Sequence, residues 1–445
     1  MHMKANFIRV RRLPIFRSPS RRGLVAQLFS LAVIVTIQII QVPVFIGVLG
    51  PAKYGSYLVL IAIPSALTLA DFGLLGVTAT RMLALLAHGK YSEATVLSRF
   101  TNSFVMIATS LILVAVSIAT WSFDVSQHDV GLAESRAIIQ FYSIYAVLSV
   151  YSSSFEAAMR AAGSYPAAWI RLSVMRLIDF VVGAVLLIWT GGIVVSIIGM
   201  LLSRVIGLLL LRRQVKRIAP WASWKFVFPR ASMAPGLLKP TLGSIALPIG
   251  NAFVNQGIVL AVSAALGPVA VVVFTSVRTM INVLRQLTNA ITNSTMPSLT
   301  QLLSHRDLTG ARKALKHTAL MVGIVVILGG VGLVTLGPWI LGIWTHGQVS
   351  APPGFIAMLV LQSLVESAWL VLSLWFYAQN RHFGYSVVYV LSSGACVLLL
   401  FSLRPTSLIS VALFLMASSA IVLIWVTIAL MNEARDDNPS TSVQK

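Results

Sequence analysis

"LLAHGKYSEATVLSRFT", residues 85–101, has a counterpart further along the same chain. It aligns without a gap to "LLSHRDLTGARKALKHT", residues 302–318, pairing Leu85, Leu86, His88, Ala94 and Thr101 with Leu302, Leu303, His305, Ala311 and Thr318. The tripeptide "LGP" at 49–51 recurs at 266–268, and both matches share one displacement of 217 residues (88 to 305, 49 to 266). Leucine and alanine coincide cheaply in a sequence that is 57% hydrophobic, but histidine occurs only seven times in 445 residues, so that pair carries more weight. The chain reads as an internal duplication. Two halves, each with an even number of membrane crossings, are parallel repeats related by an axis along the membrane normal, with a cavity at their interface near the midplane.

Working outward, apolar runs of about 20 residues lie on both sides of these segments, each long enough to span a hydrocarbon core of about 30 Å. Only 10% of the residues are charged, against about 25% in a soluble domain. No ten-residue alternation of the β-barrel kind is present. The fold class expected is therefore an all-α polytopic membrane protein with about twelve transmembrane helices in two six-helix lobes around a central cavity. The crossings fall near 24–49, 55–79, 101–122, 137–159, 168–189, 192–211, 240–265, 269–297, 317–341, 354–377, 384–403 and 407–430. The long basic connection 212–239 divides them six and six. Residues 1–230 form the N-terminal lobe with its basic start and linker, and 231–445 the C-terminal lobe with a short tail.

The net charge of +21 is distributed by topology. With both termini cytoplasmic, about 25 of the 33 lysines and arginines fall on the inner side and only Lys53, Arg136 and Arg404 on the outer, which is the positive-inside pattern. That accounts for the basic excess without nucleic acid, and leaves an attraction to membrane lipids as a secondary effect. The N-terminal stretch lacks a small-x-small cleavage site and reads as an inside anchor. The single cysteine, Cys396, gives no disulfide within the chain and no metal cluster. No cofactor is expected.

One stretch carries polar chemistry where lipid would forbid it. In "RTMINVLRQLTNAITN", residues 278–293, Arg278, Asn282, Arg285, Asn289 and Asn293 recur at spacings of 4, 3, 4 and 4 and share an arc of roughly 80° on one helix face. A central arginine costs about 2.5–3.5 kcal/mol on insertion scales, so this face belongs against a water-filled cavity or a partner. Its planar fork suits phosphate. Pairing with buried acids of other spans, or snorkelling to the interface, would serve as well. Gln38 and Gln41 of the first span, and Asn251 and Asn255 of the seventh after a kink at Pro248, are candidates for the same space. The displacement of 217 puts Gln38 on Asn255. Interhelical hydrogen bonding is the alternative for these four.

Four acids lie within the spans. Asp179 follows Arg176 by three residues and Glu156 precedes Arg160 by four, so local ion pairs are expected for both. Asp71 and Glu366 have no opposite charge nearby in sequence and are the candidates for ion coupling. Arg204 is also isolated and is read as a counter-charge.

"VLGPAKYGSYLVLIAIPSALTLADFGLLGVTATRMLALLAHGK", residues 48–90, resembles the start of the polysaccharide and O-antigen flippases of the multidrug/oligosaccharidyl-lipid/polysaccharide exporter superfamily. Gly50, Pro51, Tyr54 and Gly55 at the first outer turn and "ADFGLL" late in the second span carry the resemblance, which covers roughly the first hundred residues. It implies two six-helix lobes around a cavity lined with positive charge, a position that Arg278 and Arg285 fit. It also implies a lipid-linked oligosaccharide as cargo, bound through pyrophosphate to a polyprenyl chain and moved across the bacterial inner membrane by alternating access for surface polysaccharide export. A polysaccharide polymerase and glycosyltransferases are the partners such a protein would have. On this reading the protein is not an enzyme.

Three other readings compete. A cation-coupled multidrug exporter of the same superfamily would favour acids and aromatics around a cationic drug. A polytopic glycosyltransferase or polymerase would need a catalytic outer loop, for which the segment 123–136, with Asp124, His128, Asp129, Glu134 and Arg136, is the main candidate. A scaffold or channel would have no transport cycle.

Overall fold

The computed structural model describes residues 19–69, 74–127, 129–228, 238–379 and 381–436. These are helical almost throughout: α1 (Pro19–Ala66), α2 (Leu74–Ala87), α3 (Tyr91–Ser122), α4 (Leu132–Ala161), α5 (Tyr165–Thr190), α6 (Ile193–Ile218), α7 (Leu238–Ala252), α8 (Ile258–Leu266), α9 (Pro268–Ser304), α10 (Leu308–Trp344), α11 (Phe355–Ala378), α12 (Phe383–Leu403) and α13 (Leu408–Asp436). A π-helical turn, Phe253–Gly257, joins α7 to α8. Among the described residues, eleven helices are long and apolar enough to cross a membrane. The first of them runs from Val25 to Ala66, 42 residues, or about 63 Å at 1.5 Å per residue, twice a bilayer core. It is two crossings joined at Gly50, where φ is 73° and ψ is 166°. The count of twelve follows.

The outer connection expected between the crossings 24–49 and 55–79 is therefore a single residue. Gly50 occupies a dihedral region essentially closed to residues with a Cβ, so the chain reverses without leaving a run of unbonded peptide groups. Gly267 does the same between α8 and α9, with φ 83° and ψ 173°, and each is followed by a proline, Pro51 and Pro268, that needs no N–H partner at a helix start. The displacement of 217 reappears in the backbone bonding. Gly89 donates to Leu86 and Lys90 to Leu85, and Arg306 donates to Leu303 and Asp307 to Leu302. Gly89 and Arg306 both have positive φ, 73° and 59°. Ala94 and Ala311 are each 0% exposed. Ser164 to Met159 and Arg381 to Phe376 repeat the correspondence at the next basic-side turn. The boundary placed at 230/231 falls outside the described residues.

The second crossing departs from the continuous span expected over 55–79. The helix after Gly50 ends at Ala66, a 3-10 turn covers Leu67–Leu69, and helix resumes at Leu74. Pro64 lies within the last turn before the break, and its missing N–H leaves a carbonyl one turn back without an in-helix partner.

Packing distinguishes the two ends of the molecule. At the end away from the basic loops, one apolar core draws on both halves: Val42, Phe45, Ile46 and Tyr54 from α1, Leu187 and Ile193 beside the α5–α6 turn, Val259, Val271 and Phe274 from α8 and α9, and Leu400 and Leu408 beside the α12–α13 turn. At the basic end the cores are separate. Leu75, Met82, Leu97 and Ala161 pack together, as do Ala168, Leu172, Leu211 and Val215. Leu299, Ala311, Trp375, Tyr385 and Val426 form a core of the other lobe alone. The lobes thus share one core at one end and keep separate cores at the other, where α2 and α7 still touch.

A close backbone approach between the lobes lies at the fused end. A Cβ on Gly55 would lie 2.0 Å from the carbonyl oxygen of Pro268 and 2.5 Å from its carbon, whereas one on Gly47 would meet nothing within 4 Å. Backbone cannot yield as a side chain can, so Gly55→Ala is expected to cost about 1–3 kcal/mol and lower the midpoint of thermal unfolding in detergent, with Gly47→Ala close to wild type. Equal midpoints for the two variants would show that the lobes are not held together here.

Candidate functional site

Gly267 fixes where α9 enters, and the rise of the helix sets the depth of each side chain beyond it. Arg278 lies ten residues in, about 15 Å and so near mid-bilayer; Asn289 and Asn293 lie beyond the 20 residues that cross the core. Arg278, Asn282 and Arg285 line one cavity together with Val254, Phe274, Gln362, Ser363, Glu366 and Leu415. Asn289 and Asn293 are exposed and are not among the cavity-lining residues. The polar arc read from the sequence is one face, but only its first three members share the cavity. The cavity has about 30 Å³ of water-accessible space, room for one or two waters. It is built from α9, α11, α13 and the π turn of a single lobe, where the sequence placed it between the two.

Each arginine has a defined partner. The Arg285 guanidinium meets Glu366 at 2.9 Å, so the two groups read separately from the sequence are an ion pair between α9 and α11. Glu366 in turn accepts from the Gln362 amide at 3.2 Å, which also donates to Ser419 at 3.3 Å. The Tyr389 hydroxyl lies beside Arg285 and donates to Asn251 Oδ1 at 3.1 Å. Arg278 pairs with no acid among the described residues. Its Nη1 donates to the carbonyls of Val254 and Asn255 at 3.3 and 3.2 Å, and its guanidinium carbon stands 5.0 Å from the centre of the Phe274 ring. These carbonyls belong to the π turn, where the wider winding disturbs the regular ladder, and the arginine satisfies them. Two arginines against one carboxylate leave the cavity with one positive charge in excess.

The amide candidates divide. Gln38 accepts from the Gln286 amide at 3.1 Å, a bond between α1 and α9 and so between lobes. Asn255 donates to the Asn251 carbonyl at 2.9 Å, and Asn251 ties α7 to α12 through Tyr389. Gln38 and Asn251 thus make the interhelical bonds offered as their alternative role, whereas Asn255 bonds back to the preceding turn of its own helix. Gln41 is partly buried and does not line the cavity. Asp71 lies outside the described residues. Gln362, Ser363 and Tyr389 were not anticipated; Gln362, one helical turn before Glu366, carries the spacing signal that would have found it.

Two expected local pairs are corrected. Asp179 pairs with Arg204 of α6 at 2.5 Å rather than with Arg176, and takes further bonds from Ser203 and Tyr145 at 2.8 and 3.2 Å. Its carboxylate is 1% exposed and Arg204 3%, a dry inter-helix pair around which the hydroxyls of Ser203, Tyr145 and Ser152 gather, while Arg204 Nε has no partner among the described residues. Glu156 accepts from the Trp169 indole at 3.0 Å, while Arg160 stacks over Tyr165 at 5.1 Å instead of pairing with Glu156.

The repeat relates the cavity residues to an unlike set. A displacement of 217 carries Arg278, Asn282, Arg285 and Glu366 onto Ile61, Ser65, Thr68 and Ser149. The charge belongs to one lobe.

The outer segment that would serve an enzyme has no converging groups among its described residues. Asp124 accepts from the Ser126 amide at 2.9 Å, which holds its carboxyl below the usual carboxylate range. Glu134 meets Lys53 at 3.4 Å. Arg136 donates to the Thr120 and Trp121 carbonyls. His128 lies outside the described residues.

No protein-family model matches the sequence, and no curated protein matches it. Solved structures do. A multidrug resistance MATE family transporter of the MOP superfamily in its inward-facing conformation superposes with a TM-score of 0.73 at 14% identity, over 94% of this chain and all of the other. Such a transporter in its outward-facing conformation gives 0.58 at 13% identity over 92% and 95%. A MOP superfamily transporter from Pyrococcus furiosus, described as having a binding pocket of reversed polarity that suggests a different function, gives 0.53 at 13% identity over 92% and 93%. The fold is that of the MATE transporters.

Proposed function

We propose that the chain is a transporter of the bacterial inner membrane, both termini cytoplasmic, that flips polyprenyl-pyrophosphate-linked saccharide by alternating access. The observation that carries this reading is the excess positive charge of the buried cavity, with Arg278, Asn282 and Arg285 on one helix face of a MATE-like fold. A cationic drug finds no net attraction there, whereas a pyrophosphate does. The cargo far exceeds the cavity, so its phosphates are gripped at the cavity's mouth, its glycan occupies the cleft between lobes, and its tail stays in lipid. The separate cores at the basic end support a cleft open to that side.

The ion pair supplies a coupling device. Arg285 cannot offer its fork to a phosphate while it holds Glu366. When the cargo takes the guanidinium, the carboxylate loses its counter-charge and is free to take another cation. Anion binding and the exchange of partners at Glu366 are then linked, and Glu366 and Arg285 act as one exchange unit. The partners this function calls for are the glycosyltransferases that build the lipid-linked sugar and the polymerase that consumes it.

A cation-coupled multidrug exporter is the second reading, favoured by the multidrug neighbours and by the carboxylate within the cavity. For the flippase, Arg278→Ala with Arg285→Ala abolishes flipping of labelled lipid-linked sugar in reconstituted vesicles. Arg285→Ala alone lowers it about ten- to hundred-fold, the loss of one charge-assisted contact of about 1.5–3 kcal/mol; wild-type rates in the double variant defeat the proposal. Glu366→Gln releases Arg285, and is expected to bind the anionic lipid more tightly while its flipping no longer responds to an imposed cation gradient. An unaltered gradient response would remove Glu366 from the coupling. Expression in a drug-sensitive host is expected to leave resistance unchanged, and a rise in resistance would favour the exporter.

A further inference from the structure

A second cavity, larger than the arginine site, shares no lining residue with it. It measures about 290 Å³ against about 30 Å³ for the latter, and is lined by Arg312, Leu315, Lys316 and Ala319 of α10, Leu372 and Trp375 of α11, and Leu430 and Glu433 of α13. The four α10 residues recur at i, i+3, i+4 and i+7 and share one face. Helix α11 packs against both α10 and α13 and floors the crevice between them.

Charge and depth are matched along this crevice. Arg312 and Lys316 lie four and eight residues into α10, about 6 and 12 Å from its start at the basic end. Ala319 and the leucines continue the wall with apolar surface. Both cations are exposed. The one acid in the lining, Glu433, is already engaged, by Arg381 at 2.6 Å and by the Trp375 indole at 3.1 Å. Arg312 and Lys316 form no ion pair among the described residues. Two unpaired cations at headgroup depth above an apolar crevice between helices are complementary to one kind of molecule, with an anionic head and a hydrocarbon tail.

We infer that this crevice is a binding site for an anionic glycerophospholipid of the cytoplasmic leaflet. Its phosphate is held by Arg312 and Lys316, and one acyl chain lies along Leu315, Ala319, Leu372 and Leu430. The inference is independent of the cargo proposed above, since it uses none of the same residues.

Native mass spectrometry of the full chain, offered equal amounts of phosphatidylglycerol and phosphatidylcholine with the same chains, tests it. One phosphatidylglycerol is expected to be retained in preference to phosphatidylcholine by the wild type. Arg312→Ala with Lys316→Ala is expected to lose about thirty-fold in that binding, about five-fold per cation. Arg312→Lys with Lys316→Arg retains it. Ala319→Trp, which fills the crevice and keeps both cations, also displaces the lipid, with thermal unfolding of the lipid-free protein unchanged. Equal retention of the two lipids, or undiminished phosphatidylglycerol binding in both the charge and the crevice variants, overturns the inference. So does competition by inorganic phosphate at the same concentration, which marks a site for the head alone, or preferential binding of a polyprenyl pyrophosphate.

Discussion

A chain that crosses lipid must satisfy every peptide group within itself, and the place where this is hardest is the turn. This protein turns twice at a single glycine. Gly50 and Gly267 adopt nearly the same dihedrals, and a proline follows each, so two long helices double back with almost no exposed backbone. Because the reversals are so short, α1 beyond its break and the start of α9 are brought into close register, and Gly55 lies against the Pro268 carbonyl. The shared apolar core grows around that contact. The looser relation of the two lobes at the basic end is what remains when most inter-lobe packing is concentrated at the other.

Buried charge follows the same economy of local satisfaction. In the N-terminal lobe, Asp179 and Arg204 neutralise each other with hydroxyls in attendance, and the site is closed to water. In the C-terminal lobe, Arg278 is held by carbonyls of the π turn, which do not neutralise it, and Arg285 by Glu366, which does. The first arrangement is inert. The second retains charge and a little space, and its ion pair has somewhere else to go. The two clusters differ in leftover charge and volume rather than in residue types, which are much the same.

What the sequence disclosed was whatever depended on periodicity. Apolar runs located the helices, and the histidine pair at 88 and 305 located a duplication that the backbone bonding of Gly89 and Arg306 repeats. The spacing of Arg278, Asn282 and Arg285 put them on one face. What it could not disclose was which distant residues meet. Glu366 looks isolated along the chain because Arg285 is eighty-one positions away, and Asp179 has a nearer arginine than the one it chooses. Helical neighbours are cheap to propose, but Asp179 prefers Arg204 because the facing helix also brings Ser203 and Tyr145 brings a second hydroxyl. The single-residue turn at Gly50 was hidden for a related reason: a positive φ leaves no mark except the glycine itself.

The uneven placement of charge across the repeat has a mechanical corollary. At the positions that the repeat relates to Arg278 and Arg285, the other half has Ile61, buried in the shared core, and Thr68. An anion held by the arginines would be anchored to one lobe alone. On the proposed reading, such a passenger would travel with the lobe that carries it, off the pseudo-twofold axis.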